Sequence, residues 1–177
     1  MKNINNFINE KLSENSLKPK NKNELLSTIA ERIKQDGNEC DLNDIDTSLI
    51  TDMSELFSGS KFNGDISNWN VSNVNNMSGM FNDSSFNGDI SNWNVSNVKD
   101  MSYMFEWSTF NENISDWDVS NVEDMNNMFI HSDFNGDISK WNVSKVKNMA
   151  IMFYFSIFDN DISKWDVSNV TDMSSTF

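Results

Sequence analysis

A methionine followed four residues later by a phenylalanine occurs six times at a fixed spacing of 24 residues: Met53/Phe57, Met77/Phe81, Met101/Phe105, Met125/Phe129, Met149/Phe153 and Met173/Phe177. A second phenylalanine keeps that period at Phe62, Phe86, Phe110, Phe134 and Phe158. Tryptophan keeps it at Trp69, Trp93, Trp117, Trp141 and Trp165. A period of this length marks a chain whose units bury their apolar faces only against one another. Such a chain presents surface and is not expected to enclose a catalytic pocket.

One unit shows the expected local structure. Ile66, Trp69, Val71, Val74, Met77, Met80, Phe81 and Phe86 form the apolar set. Trp69-x-Val71 has the period of two expected of a strand, and Met77, Met80 and Phe81 have the spacing of one short helical turn. Asp52, Asp100, Asp124 and Asp172 stand directly before the methionine, where a side-chain oxygen can cap free N–H groups; Asn76 and Asn148 stand there in the other two units. Asn63-Gly64-Asp65 and its repeats supply a turn. The expected fold is an α/β solenoid with one short strand and one short helical turn per repeat.

Residues 1–37 lack the repeat. Ile4, Phe7, Ile8 and Leu12 fit one helical face, Lys18-Pro19-Lys20 breaks it, and Leu25, Leu26, Ile29 and Ile33 fit a second. Asn23 is expected to cap the start of that helix and Gly37 its end. This predicts a two-helix N-terminal cap over 1–37, a degenerate capping repeat over 38–57 and five full repeats over 58–177, all one continuous domain. In the degenerate unit Leu42, Ile45, Thr47 and Ile50 take the apolar slots, and Cys40 takes that of Gly64 as a small packing residue.

Charge is divided sharply along the chain. The net value of −14 combines residues 1–37, with seven Lys/Arg and five Asp/Glu, and residues 38–177, with six and 22. The repeats are thus acidic. Binding to nucleic-acid phosphates, which rests on Lys and Arg, is disfavoured, and attraction to basic protein surfaces is favoured. A single cysteine precludes an internal disulfide. No apolar run reaches the roughly 18 residues of a membrane helix. The start, MKNINNFINEKL, has no apolar core of a signal peptide, so a cytoplasmic location is expected.

The spacing Ile66-x-x-Trp69-x-Val71-Ser72-x-Val74-x-x-Met77-x-x-Met80-Phe81 resembles a leucine-rich repeat of the bacterial surface-protein subtype. The version with Phe-Asn-Gly-Asp-Ile-Ser and Trp-Asn-Val-Ser-Asn-Val is similar to a repeat domain first described as a mycoplasma family of unknown function. The resemblance covers about residues 42–177. It implies right-handed coils, a parallel sheet on one face, and adhesion at a cell surface as the usual role. Coils stacked at about 4.8 Å would give a rod on the order of 25–30 Å long.

No catalytic constellation is visible. His131 is the single histidine, and nothing supplies it with orienting partners. No enzyme activity and no cofactor are expected. The aspartates Asp65, Asp89, Asp137 and Asp161 invite comparison with calcium-binding repeats, but Asn113 interrupts the column and turn formation explains it. The methionine columns are read as core filling, not as copper ligands. No metal site is assigned.

Two surfaces are candidates for partner binding. One is the outward ladder of Asn70, Asn94, Asp118, Asn142 and Asp166, with Asp116 in the adjoining column. The other is an aromatic rim of Tyr103, Trp107, Tyr154 and Phe155, residues that break the repeat and belong to types favoured at binding hot spots. Lys140, Lys145, Lys147 and Lys164 form a basic island. The favoured reading is a non-enzymatic module that engages a basic protein surface. Two alternatives are an inhibitor of a nucleic-acid-guided defence enzyme, anti-CRISPR-like in size and charge, and an adhesin-like repeat protein. The repeat runs to Phe177 without a cap, which suggests a homodimer through the last coil.

Overall fold

The computed structural model describes residues 17–177. The helix expected around Ile4, Phe7, Ile8 and Leu12 lies outside those residues. The second helix forms as α1, Lys22–Asp36. Its N-cap is Asn21, two residues before the expected Asn23, and the Asn21 side chain accepts the Glu24 N–H at 3.0 Å. The Glu24 carboxylate reaches back to the Lys20 N–H at 2.8 Å, so the two residues close the turn reciprocally. Gly37 ends the helix at φ 88° and donates its N–H to Ile33. Leu25 and Ile29 are buried against the first coil, and the Arg32 guanidinium ties the helix to it through Asp44 at 2.8 Å and the Asp41 carbonyl at 3.0 Å.

The expected strand and helical turn of each repeat do not form. Among the described residues α1 is the only helix. The parallel pairing between coils is reduced to isolated bridges: Asp52 to Asn76, Asn76 to Asp100, Asp100 to Asp124, Asp124 to Asn148 and Asn148 to Asp172. The α/β solenoid is therefore corrected to a stack of 24-residue coils built from turns. Trp69-x-Val71 is not a strand because both ends are spent on turns: the Trp69 N–H bonds to the Ile66 carbonyl and the Val74 N–H to the Val71 carbonyl. Met77, Met80 and Phe81 are not helical because Gly79, between them, is left-handed at φ 60°. A bond from Met80 N–H to Met77 carbonyl with positive φ at the third residue is the pattern of a type II turn.

These turns follow one another and divide the backbone donors between the coil and its neighbour. Along 77–83 the N–H groups of Met77, Gly79, Phe81 and Asp83 reach the carbonyls of Asp100, Ser102, Met104 and Glu106 in the next coil, at 2.7–2.9 Å. The intervening N–H groups of Met80 and Asn82 fold back to carbonyls three residues earlier. Four of these donors hold the coil to its neighbour and two close turns within it, while the Ser78 N–H goes to the Asn76 side chain, so every one is paired.

Side chains complete the corners. Asp65, Asn70 and Asn76 each accept, through Oδ1, the N–H of the serine two residues on, at 2.9, 3.1 and 2.9 Å. The side chains that precede the methionines accept the N–H two residues on in every unit, from Ser54, Ser78, Ser102 and Ser174 in four of them and from Asn126 and Ala150 in the other two. The core is a set of aromatic columns. Phe57, Phe81, Phe105, Phe129 and Phe153 stack with centroids 5.6–5.7 Å apart. Phe62, Phe86, Phe110, Phe134 and Phe158 stack at 6.2–6.4 Å. Each buried indole also donates its Nε1–H to the preceding coil, as Trp93 does to the Ile66 carbonyl at 3.2 Å and Trp117 to that of Ile90 at 3.1 Å. Cys40 is buried as a packing residue, and burial pushes its thiol pKa up.

Candidate functional site: an exposed aromatic wall

The run of turns that follows each methionine projects side chains out of the coil at fixed places. One column holds Gly59, Asp83, Trp107, His131 and Phe155; another holds Glu55, Gly79, Tyr103, Asn127 and Ile151. Every one of these residues has positive φ, between 50° and 65°. For a residue with a side chain this backbone costs about 1–2 kcal/mol relative to the right-handed region. The inter-coil bonds impose it, as in Trp107 N–H to the Ile130 carbonyl at 2.9 Å and His131 N–H to the Tyr154 carbonyl at 3.0 Å.

Three adjacent coils place rings in the first column. Trp107 stacks on His131 with centroids 3.7 Å apart, and His131 stacks on Phe155 at 5.0 Å. Tyr154 meets Phe155 edge-on at 4.3 Å. The rings steady one another yet stay open to solvent: Trp107 is 55% exposed and Phe155 67%. Tyr103 and Ile157 are exposed as well. The rim named from the sequence is thus brought together in its essentials: Trp107, Tyr154 and Phe155 form one cluster, and Tyr103 lies on the same run of turns as Trp107. The sequence reading omitted His131, which joins the two halves. The signal was present, since Trp107, His131 and Phe155 are each one repeat apart.

Beside this wall, toward the N-terminal coils, lies an open groove of about 410 Å³ lined by Glu55, Ser58, Gly79, Asn82, Tyr103 and Glu106. Asn82 Nδ2 donates to Glu106 Oε2 at 2.5 Å. Burial pushes the Glu106 carboxyl pKa up, against the pull of the Asn82 hydrogen bond and the nearby His131.

The ladder residues have a structural task. Asn70, Asn94, Asp118, Asn142 and Asp166 each cap a turn by accepting the N–H of Ser72, Ser96, Ser120, Ser144 and Ser168. Their repetition follows from the corner they build. Asp116 is exposed in the adjoining column. Asp65, Asp89, Asp137 and Asp161 do the same at another corner, and hydrogen bonds from the serine two residues on lower their carboxyl pKa values. Among the described residues no group of three or more His, Cys, Asp or Glu is arranged to hold a metal ion.

The basic island is partly neutralised. Lys147 Nζ pairs with Glu123 at 2.5 Å, and Lys145 Nζ donates to Asn121 Oδ1 at 2.6 Å. In the last coil Met173 is 47% and Phe177 70% exposed. No helix among the described residues is long and apolar enough to cross a membrane.

The family model described as "Mycoplasma protein of unknown function, DUF285" matches residues 26–131 and 106–177. No curated protein and no solved structure matches the chain.

Proposed function

We propose, for a chain that belongs to this mycoplasma family of unknown function, a non-enzymatic role as a binding module that docks a protein partner with a basic surface on its aromatic wall. The stack of Trp107, His131 and Phe155 carries the reading. Rings of this size are rarely left open on a surface without a use, and here they lie outside the columns that fill the core. Aromatic side chains dominate binding energy once a partner excludes water from them. The surrounding repeats, with 22 Asp/Glu against six Lys/Arg over 38–177, would steer a basic partner and set its orientation. The same charge opposes a second copy of this chain at the wall. The apolar spacing also supports kinship with leucine-rich repeats of bacterial surface proteins, at the level of the repeat unit.

The experiment is an affinity capture from lysate of the source organism, with the full chain and with a Trp107→Ala/Phe155→Ala variant, at low and high salt. A basic protein held by the first, lost from the second and weakened by salt is the expected result. Identical captures by both proteins would overturn the reading. A captured enzyme of nucleic-acid-guided defence would favour the inhibitor alternative, whose support is the acidity of the repeats.

A further inference from the structure

Gly79 stands where the backbone does not require glycine. Its φ is 60°, and the equivalent residues Glu55, Tyr103, Asn127, Ile151 and Ser175 hold φ values of 51–60° with side chains present. Nor does crowding demand it, since a Cβ at Gly79 would lie 3.4 Å from Glu55 Cγ and 3.9 Å from Asn82 Cβ, both ordinary contacts. Its effect is a missing side chain in a column that is otherwise filled. The result is a gap between Glu55 on one side and Tyr103 on the other. This gap lines the groove whose far end is formed by Tyr103 and Glu106, the residue next to Trp107 in the chain.

The lining identifies what fits there. Glu55 and Glu106 bring two carboxylates to one groove, and Tyr103 brings an exposed ring. Asn82 holds one oxygen of Glu106 through its side-chain amide, which fixes the carboxylate and leaves its other oxygen for a second donor. The hydroxyls of Ser58, Ser78 and Ser102 add small polar groups. A planar cation satisfies all of these: a guanidinium forks onto carboxylates and lies flat on an aromatic face.

We infer that the gap at Gly79, between Glu55 and Tyr103 and beside Glu106, receives an arginine side chain of the partner while the partner's apolar residue rests on the Trp107–His131–Phe155 stack. This rests on the proposal that the aromatic wall is the docking surface, and it specifies the chemistry of what docks. The gap and the middle of the stack at His131 are two coils apart and in neighbouring columns, roughly 10–14 Å, which is three or four residues of extended chain. The recognised element is therefore an extended segment with arginine and a large apolar residue three or four positions apart.

The test uses the full chain and fluorescein-labelled peptides that carry Arg and Phe three or four positions apart, in both orders, read by fluorescence polarisation. Controls replace Arg with citrulline, Arg with Lys, or Phe with Ala. One order is expected to bind, with at least a tenfold loss on the citrulline change and a smaller loss with lysine. Gly79→Asn fills the gap with the side chain that Asn127 already carries in this backbone, and circular dichroism is expected to show the parent fold. It should reproduce the citrulline loss, as should Glu106→Gln. Binding unchanged by citrulline, Gly79→Asn and Glu106→Gln, yet lost with Trp107→Ala, would overturn the arginine site and leave the wall standing. Binding indifferent to Trp107→Ala and Phe155→Ala would overturn both. Absence of binding by every peptide would overturn the arginine site, while the lysate capture would still decide the wall.

Discussion

The Trp107 indole and the His131 imidazole lie face to face, with centroids 3.7 Å apart and planes 19° from parallel, one repeat from each other on the outside of the stack. Ten residues further along, Trp117 is 4% exposed in the core, with its Nε1–H bonded to the Ile90 carbonyl. Two tryptophans ten residues apart thus have opposite surroundings. Their removal should separate binding from stability.

Trp107→Ala should change unfolding free energy by no more than about 1 kcal/mol, the scale of one aromatic pair. Trp117→Ala should cost about 3–5 kcal/mol, the range for deleting a buried large aromatic. Urea titrations followed by circular dichroism give both values. A large loss for Trp107→Ala would mean the exposed stack is a structural clamp between coils, and the binding assignment would lose its basis.

Gly64 and Gly79 should respond unequally to substitution. A Cβ at Gly64 would come 2.0 Å from the Cys40 carbonyl oxygen, a backbone atom at the junction between the first two coils. Gly64→Ala is expected to cost a few kcal/mol, as overpacking does. Gly79→Asn, with room for the side chain but on left-handed backbone, should cost about 1–2 kcal/mol, less than Gly64→Ala. Thermal melts of the two variants decide it; similar losses would show that Gly79 is needed by the fold.

The regularity that made the repeat legible also concealed how it is built. Slots for Phe, Met, Ile, Val and Trp could be assigned because each is buried in the same place in every coil. The capping carboxylates before Met53, Met101, Met125 and Met173 followed from position alone. Strand and helix did not follow, since alternation in Trp69-x-Val71 and the i, i+3, i+4 set of Met77, Met80 and Phe81 are produced equally by consecutive turns that aim alternate residues inward. Nothing in the residue types at Trp107, His131 or Phe155 announces a left-handed backbone; it is imposed by hydrogen bonds from the next coil. The ladder of Asn70 and its equivalents also bonds to a serine N–H two residues on, a task that residue type and exposure alone did not separate from a binding surface.

That capping task makes stability depend on acid in a defined direction. Hydrogen bonds from the serine two residues on lower the carboxyl pKa values of Asp65, Asp89, Asp118, Asp137, Asp161, Asp166 and Asp172. Lys18 leads in lowering Asp46, to about 2. A carboxylate with a depressed folded-state pKa contributes stability that is complete above its unfolded value, about 3.9, and is lost as pH falls through the folded value. Glu106, raised by burial, acts in the opposite sense and gains on protonation. Relief of net negative charge acts with it. Both are outweighed if the corner caps matter as described, because the caps recur in every coil while Glu106 is one group. The urea midpoint should therefore hold between pH 6 and 5 and fall from about pH 4 toward pH 2. Asp118→Asn, which keeps the accepting oxygen and removes the charge as Asn70 and Asn94 already do, should flatten that fall slightly without lowering stability at neutral pH. A midpoint that rises steadily on acidification would show that charge repulsion along the acidic repeats, and not the carboxylate caps, governs how the stack responds to pH.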